Sequence, residues 1–338
     1  NLKKDKNHGW ANYIIGVLDQ FQKRGNSLQG LNIVFSGNIP LGAGLSSSAA
    51  LEVVTAVMVS DLNQIKIDEV ETAQLCQKAN FYLQNDVLNA LREGKEKETS
   101  EVGKNIFEQL IKNAEIAARE KMPICQDTGF TVVFVEKGDK VQIEGNLKSA
   151  INEGVRKGYT EGYLRKSIVK DPFDRENTED NTPAVIHTDI VPGNNLKIIV
   201  VPKGGGSENM SKIKMLSPAE GKEGVKEFVI NTVKKAGPNP CPPIIIGVGI
   251  GGTFEKAALI AKKALIRPID EKSDYDQIAK FEEDLLTEIN NLGIGPQGLG
   301  GRVTALGVNV ETFPCHIASL PVAVNINCHA SRHEEIII

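Results

Sequence analysis

Apolar residues recur at spacings of three and four along several stretches of the chain. Elsewhere they form unbroken β-branched runs, so helices and strands are expected to alternate. Trp10, Tyr13, Ile14, Val17, Leu18 and Phe21 predict an amphipathic helix, Leu31–Phe35 a buried strand, and Ser48 onward a helix through Val54 and Val57. Residues 37–48 between them are a Gly/Ser-rich turn. The texture changes near residues 60–66, after which Asp68 and Glu71 sit close to capping-box spacing. Helical spacing follows through Leu83, over Val87–Leu91 and over Ile106–Ala118. Thr131–Glu136 predicts a strand, residues 150–158 a helix, and Leu196–Val201 a strand feeding the glycines at 204–206. Pro218–Ala236 predicts a helix with proline near its first turn. Ile244–Val248 is a buried strand, Phe254–Leu265 and Ile278–Ile289 are helices, and Val303–Val310 and Val322–Ile326 are closing strands. Five glycines lie in the loop 293–301, and no internal repeat is present.

Length and charge narrow this picture. At about 150 residues per domain, 338 residues predict roughly two domains. A net charge of -4 gives no broad basic field, so no nucleic-acid partner is expected. No apolar run approaches the roughly 18 residues of a membrane span, and no apolar stretch follows the basic start, so a cytoplasmic location without membrane attachment is expected. Five cysteines are too few, and odd in number, for a disulfide scaffold.

Three of those cysteines lie in turn-prone sequence rich in Pro, Gly, Asp and Asn: Cys125, Cys241 and Cys328. They are 116 and 87 positions apart, so only the fold can unite them. Spacing alone is not a metal signature, since zinc and ferredoxin sites show close C-x-x-C pairs. Each also reads as a small buried hydrophobe. Cys76 lies on an apolar helix face with Ala73 and Ala79 and reads as core, while Cys315 is ambiguous.

The string Asn38-Ile-Pro-Leu-Gly-Ala-Gly-Leu-Ser-Ser-Ser-Ala-Ala50 lies between a strand and a helix, where glycines and a helix N-terminus suit a phosphate. It resembles the ATP-binding motif of the GHMP kinases, and with Trp10–Tyr13 and Gly16 it looks like an incomplete galactokinase fragment over residues 1–62. The family's sugar-binding segment and catalytic Asp are absent, so no phosphoryl transfer is expected from it.

Beyond residue 62, five motifs occur in order: Cys125-Gln-Asp-Thr-Gly129, Lys203-Gly-Gly-Gly-Ser-Glu-Asn-Met-Ser211, Gly247-Val-Gly-Ile-Gly-Gly-Thr-Phe-Glu255, Leu292–Gly301 and Asn325-Ile-Asn-Cys-His-Ala330. Together they resemble the α subunit of two-subunit class I fumarate hydratases, a family shared with L(+)-tartrate dehydratase, over about residues 64–338. The resemblance implies an α/β fold over 63–338, a class I fumarase α-subunit-like mixed sheet with surrounding helices, preceded by the partial GHMP-kinase-like α+β fragment.

It also implies a [4Fe-4S] cluster on Cys125, Cys241 and Cys328, with one iron left open as a Lewis acid for the reversible hydration of fumarate to L-malate. Asp127 and His316 are the implied catalytic residues. Gln126, Arg165, Gly205 and Gly206 are the implied binders of a small dicarboxylate, with an arginine fork suited to a carboxylate. The general base of the family lies on a part not found in this chain. A separate fumarase β subunit, in an α2β2 assembly, is therefore expected to complete the site. L(+)-tartrate dehydration is the alternative activity. A sugar kinase, and a non-catalytic zinc or structural protein using the same cysteines, are the competing readings.

Overall fold

The computed structural model describes residues 68–143 and 145–338, together with position 18. The helix at 10–21, the strand at 31–35, the turn at 37–48 and the helix from 48 lie outside the described residues. The chain divides into Asn1–Asp68 and Glu69–Ile338, and the second unit is the one described below.

Its elements follow in order. Helices α1 (Asp68–Phe81), α2 (Asn85–Lys97) and α3 (Glu101–Glu120) lead to β1 (Phe130–Gly138) and α4 (Leu147–Glu161). Strands β2 (Val185–Val191) and β3 (Leu196–Lys203), the single turn α5 (Gly205–Glu208) and β4 (Lys212–Leu216) come next. Then come α6 (Gly221–Ala236), β5 (Ile244–Gly251), α7 (Phe254–Ala264) and α8 (Asp276–Asn290), followed by β6 (Ala305–Phe313), β7 (Leu320–Asn327) and β8 (Glu334–Ile337). The first helix already includes Asp68, so the expected cap falls inside it.

The strands form two mixed sheets of four, ordered β2-β1-β3-β8 and β4-β7-β5-β6. The expected mixed α/β architecture is present, with its strands in two layers. The alternation along β1 explains the first layer, because side chains on a strand point to opposite faces in turn. Val133 and Val135 pack with Leu75 and Cys76 of α1 and with Ile151, Val155 and Tyr159 of α4. Val132 and Phe134 face the other way, with Ile199, Val201 and Leu259 of α7. In the second layer Ile244, Ile246 and Val248 of β5 pack on α6 and α8 through Val229, Val233, Leu285 and Ile289.

Helix α7 therefore lies between the layers. Its Ala257 and Ala261 pack against Ala323 of β7. Gly247 and Gly249 make its approach to β5 possible: a Cβ there would stand 2.1 Å from Ala261 O and 2.2 Å from Ala257 O. The glycine-rich string in β5 thus serves helix–strand packing.

Pairing directions fix where the loops emerge. Phe130 at the start of β1 pairs with Lys203 at the end of β3. Ile245 near the start of β5 pairs with Asn327 at the end of β7. The segments entering β1 and β5 and leaving β3 and β7 carry Cys125, Cys241, Gly204–Gly206 and Cys328 respectively.

Glu98, 1% exposed, ties this end together from the C-terminus of α2. Its Oε1 accepts from the N–H of Thr99 at 2.8 Å and Ser100 at 3.1 Å, and its Oε2 from Arg302 at 2.8 Å and Val303 at 3.2 Å. Burial pushes its carboxyl pKa up, but the four donors outweigh this and hold it below the usual value. Glu98→Ala is expected to cost about 3 kcal/mol, because it strands buried donors. A depressed folded pKa means the stabilisation is full above the ordinary carboxylate range and is lost as pH falls through the folded value. Urea unfolding of both chains at neutral and acidic pH checks this, with the gap between them narrowing in acid.

Candidate active site

Cys125 lies in the turn between α3 and β1. Ile124 anchors that turn, donating its N–H to Asn80 O at 3.0 Å and accepting Asn113 Nδ2 at 2.8 Å. The N–H of Asp127 points back at Cys125 Sγ, 3.4 Å away. Cys241 sits among three prolines with φ 55°, a left-handed backbone that is uncommon for a residue other than glycine and clusters at functional sites. His329 Nδ1 meets Cys241 O at 3.1 Å, and Pro242 O accepts both the N–H (2.7 Å) and Nε2 (2.9 Å) of Gln297. Gln297 also has a left-handed backbone, φ 53°. Cys328 follows β7 directly.

The three thiols share one electrostatic neighbourhood. Burial pushes Cys241 up, and charge on Cys328 and Cys125 adds to this. Burial also raises Cys328, with a further contribution from Cys125, while Arg332, the Ala330 N–H and Lys203 pull the other way. Among the described residues no group of three or more His, Cys, Asp or Glu side chains closes on a single ion. The other two cysteines stand apart. Cys76 is buried in the first core, its pKa pushed up to about 12. Cys315 is exposed, its Sγ 3.3 Å from Ser319 O.

Asp127 is held beside the thiols. Its Oδ1 accepts the N–H of Gly129 at 3.1 Å and its Oδ2 the N–H of Gly205 at 2.8 Å. Gly204 and Gly205 lie against that carboxylate, and a Cβ on Gly206 would meet Asn239 O at 3.9 Å, two residues before Cys241. The glycine turn thus bridges the first and second cysteine segments. Gln126 is exposed, with Oε1 3.4 Å from Cys125 Sγ. Arg165 is exposed and reaches the cysteine segment through its backbone, its carbonyl accepting Thr128 Oγ1 at 2.7 Å.

His316 is not brought to this end. It precedes β7 and Cys328 follows it, so at about 3.3 Å per residue the strand sets them roughly 25 Å apart. Its Nδ1 accepts the Ala318 N–H at 3.1 Å, and it lines a cavity of about 430 Å³ with Lys222, Phe281 and Cys315.

Sequence reasoning gave no role to three charged groups here. Lys203, 2% exposed, donates to Ser207 Oγ at 3.1 Å and Ile326 O at 2.7 Å, and pairs with Glu208 at 3.1 Å. Glu208 also pairs with Lys262 at 2.6 Å and accepts Asn325 Nδ2 at 3.0 Å. Burial brings Lys203 down to about 8; Glu208 is raised by burial, but the two lysines prevail and bring it down to about 2. Arg332 is buried next to Cys328. The sequence signal was a lysine ending an apolar strand, just before three glycines.

Known proteins are similar to this chain over most of its length. A Methanocaldococcus jannaschii protein, named provisionally as an L(+)-tartrate dehydratase subunit alpha, is 46% identical over 275 residues, covering 79% of this chain and 96% of its own length. The L(+)-tartrate dehydratase subunits alpha of Escherichia coli O157:H7 and strain K12 are each 36% identical over 258 residues, covering 75% of this chain and 85% of theirs. The GHMP kinases N terminal domain matches residues 12–88, although residues 72–81 are built into the core around β1. The family described as Fumarate hydratase (Fumerase) matches residues 69–337; the chain belongs to this family of hydro-lyases.

Proposed function

We propose that this chain is the cluster-holding α subunit of an iron-sulfur hydro-lyase that removes water from L(+)-tartrate. What supports the reading is that Cys125, Cys241 and Cys328, from three distant segments, interact electrostatically at the end of the sheets where Asp127 and the Gly204–Gly206 turn also lie. The expectation of fumarate gives way, since the relatives compared above are named for tartrate. Interconversion of fumarate and malate stays as the second reading, favoured by the family's description.

The donor set suits the group. Thiolates are the ligands of iron-sulfur clusters, and a four-iron cube is larger than one ion, so it fits thiols that interact without closing on a single point. When bound, the cluster supplies a Lewis-acidic iron that makes hydroxide a better leaving group. The chain's own residues do the rest. The side chain of Asp127 is oriented by two backbone N–H groups, and the glycine turn presents backbone with no side chain in the way. Gln126, beside Cys125, and Arg165, whose carbonyl holds Thr128 of that segment, are exposed and are assigned to the substrate carboxylates. A separate β subunit supplies the base, and His316 acts at this centre only from another copy of the chain. Residues 1–62 form a partial kinase fragment with no part in the reaction.

A substrate panel tests the reading. The full chain purified anaerobically with its β subunit is expected to convert L(+)-tartrate to oxaloacetate with a higher kcat/KM than it shows for L-malate or fumarate. Preference for malate and fumarate would overturn the substrate; an iron-loaded complex inert to all three would overturn the activity.

A further inference from the structure

Arg332 is 3% exposed, and every hydrogen bond of its guanidinium ends on a neutral oxygen. Nε and Nη2 reach Asn80 Oδ1 at 3.4 and 3.2 Å, Nη1 reaches Ala330 O at 2.9 Å, and Nη2 reaches Asp127 O at 2.8 Å. It forms no salt bridge among the described residues. Lys203, the other buried cation nearby, has Glu208 against it. Burying an ion without an opposite charge is strongly unfavourable, and native structures avoid it. The guanidinium also cannot relieve the cost by losing its proton.

The anionic groups around it are the Asp127 carboxylate, which is turned to the N–H groups of Gly129 and Gly205 and not to the guanidinium, and the cysteines. Arg332 lies four residues after Cys328 and its field reaches that sulfur. Its bond to Asp127 O fixes the backbone two residues beyond Cys125. Its charge is also felt at His329, the residue bonded to Cys241 O. All three ligand segments therefore lie around one unpaired cation.

We propose that Arg332 is the built-in counter-ion of the anionic iron-sulfur group, and that its neutral hydrogen bonds serve to aim that charge. The inference rests on the functional reading above. Three thiolates outweigh the usual dication of a four-iron core, so the assembled group is an anion. Arg332 is a positioning residue: it is buried, its hydrogen bonds all end on protein oxygens, and it acts through the group it faces.

The full chain, wild type and variant, is loaded anaerobically with iron and sulfide, then followed for iron loss to a chelator, cluster midpoint potential and thermal midpoint. Arg332→Gln removes the charge. It is expected to speed iron loss roughly 10- to 100-fold, as for other groups that support metal ligands, and to shift the potential to more negative values. Arg332→Lys keeps the charge and loses the fork, so its potential stays near wild type while its thermal midpoint falls. Asn80→Ala removes neutral bonds only and lowers the thermal midpoint without moving the potential. Failure of Arg332→Gln to load, with Arg332→Lys loading, also supports the proposal. Loss of loading in both variants, or an unchanged potential and iron loss in Arg332→Gln, overturns it in favour of a mere strut. A wild-type chain that takes up no iron and sulfide overturns the functional reading and this inference with it.

Discussion

A Cys328→Ser chain is expected to lose its iron and to lower kcat by on the order of 10³. Lewis-acid assistance is a matter of several kcal/mol, and each 1.36 kcal/mol is a decade in rate. A serine hydroxyl is a far weaker iron ligand than a thiolate, and here it would leave Arg332 without its anion. The same loss is expected for Cys125→Ser and Cys241→Ser. Cys315→Ser is the internal control: its thiol stands at the opposite end of β7, bonded to Ser319 O, and both iron content and rate are expected to stay at wild-type values. Anaerobic iron and sulfide analysis, paired with the dehydration rate, reads the result. Iron retained in Cys328→Ser would remove that residue from the ligand set.

Lys203→Met is expected to cost about 3 kcal/mol of stability, as much as Glu98→Ala. It strips the donor from Ile326 O and Ser207 Oγ inside the fold. The ionic share of the loss is smaller than for a fully buried pair, because Glu208 is 41% exposed and keeps Lys262. Methionine matches the volume of the lysine stem, so the experiment isolates the ammonium. Glu208→Gln alongside it leaves Lys203 with its two oxygen partners and is expected to cost less. Urea unfolding of the three chains decides, and equal stability of Lys203→Met and wild type would show that the network contributes nothing net.

The strands legible in the sequence are those buried on both faces. Thr131–Glu136, Leu196–Val201 and Ile244–Val248 became the centres of β1, β3 and β5 because continuous β-branched runs have few other stable environments. Strands β2, β4 and β8 were not predicted. They are edge strands whose side chains are mostly exposed or half-buried, so no apolar pattern marks them. Helices α6, α7 and α8 followed their 3.6-residue pattern closely. At the site, the thiols were legible through their turn-rich context and the family resemblance. Lys203, Glu208 and Arg332 were not, because a buried charge looks the same in sequence as a solvated one until its partners, here 123 and 205 positions away, are known. His316 shows the converse limit: proximity to other motif residues in the chain says nothing about which end of a strand a residue occupies.

Helix α7 has one more implication. Cys125 and Asp127 enter the first sheet, and Cys241 and Cys328 flank strands of the second, so the candidate site straddles the two layers that α7 separates. The closeness of α7 to β5 depends on Gly247 and Gly249 having no Cβ. Two absent methyl groups in the interior therefore act as a spacer gauge. They set how far apart the layers stand, and through that the aperture across which the sulfurs must reach one another.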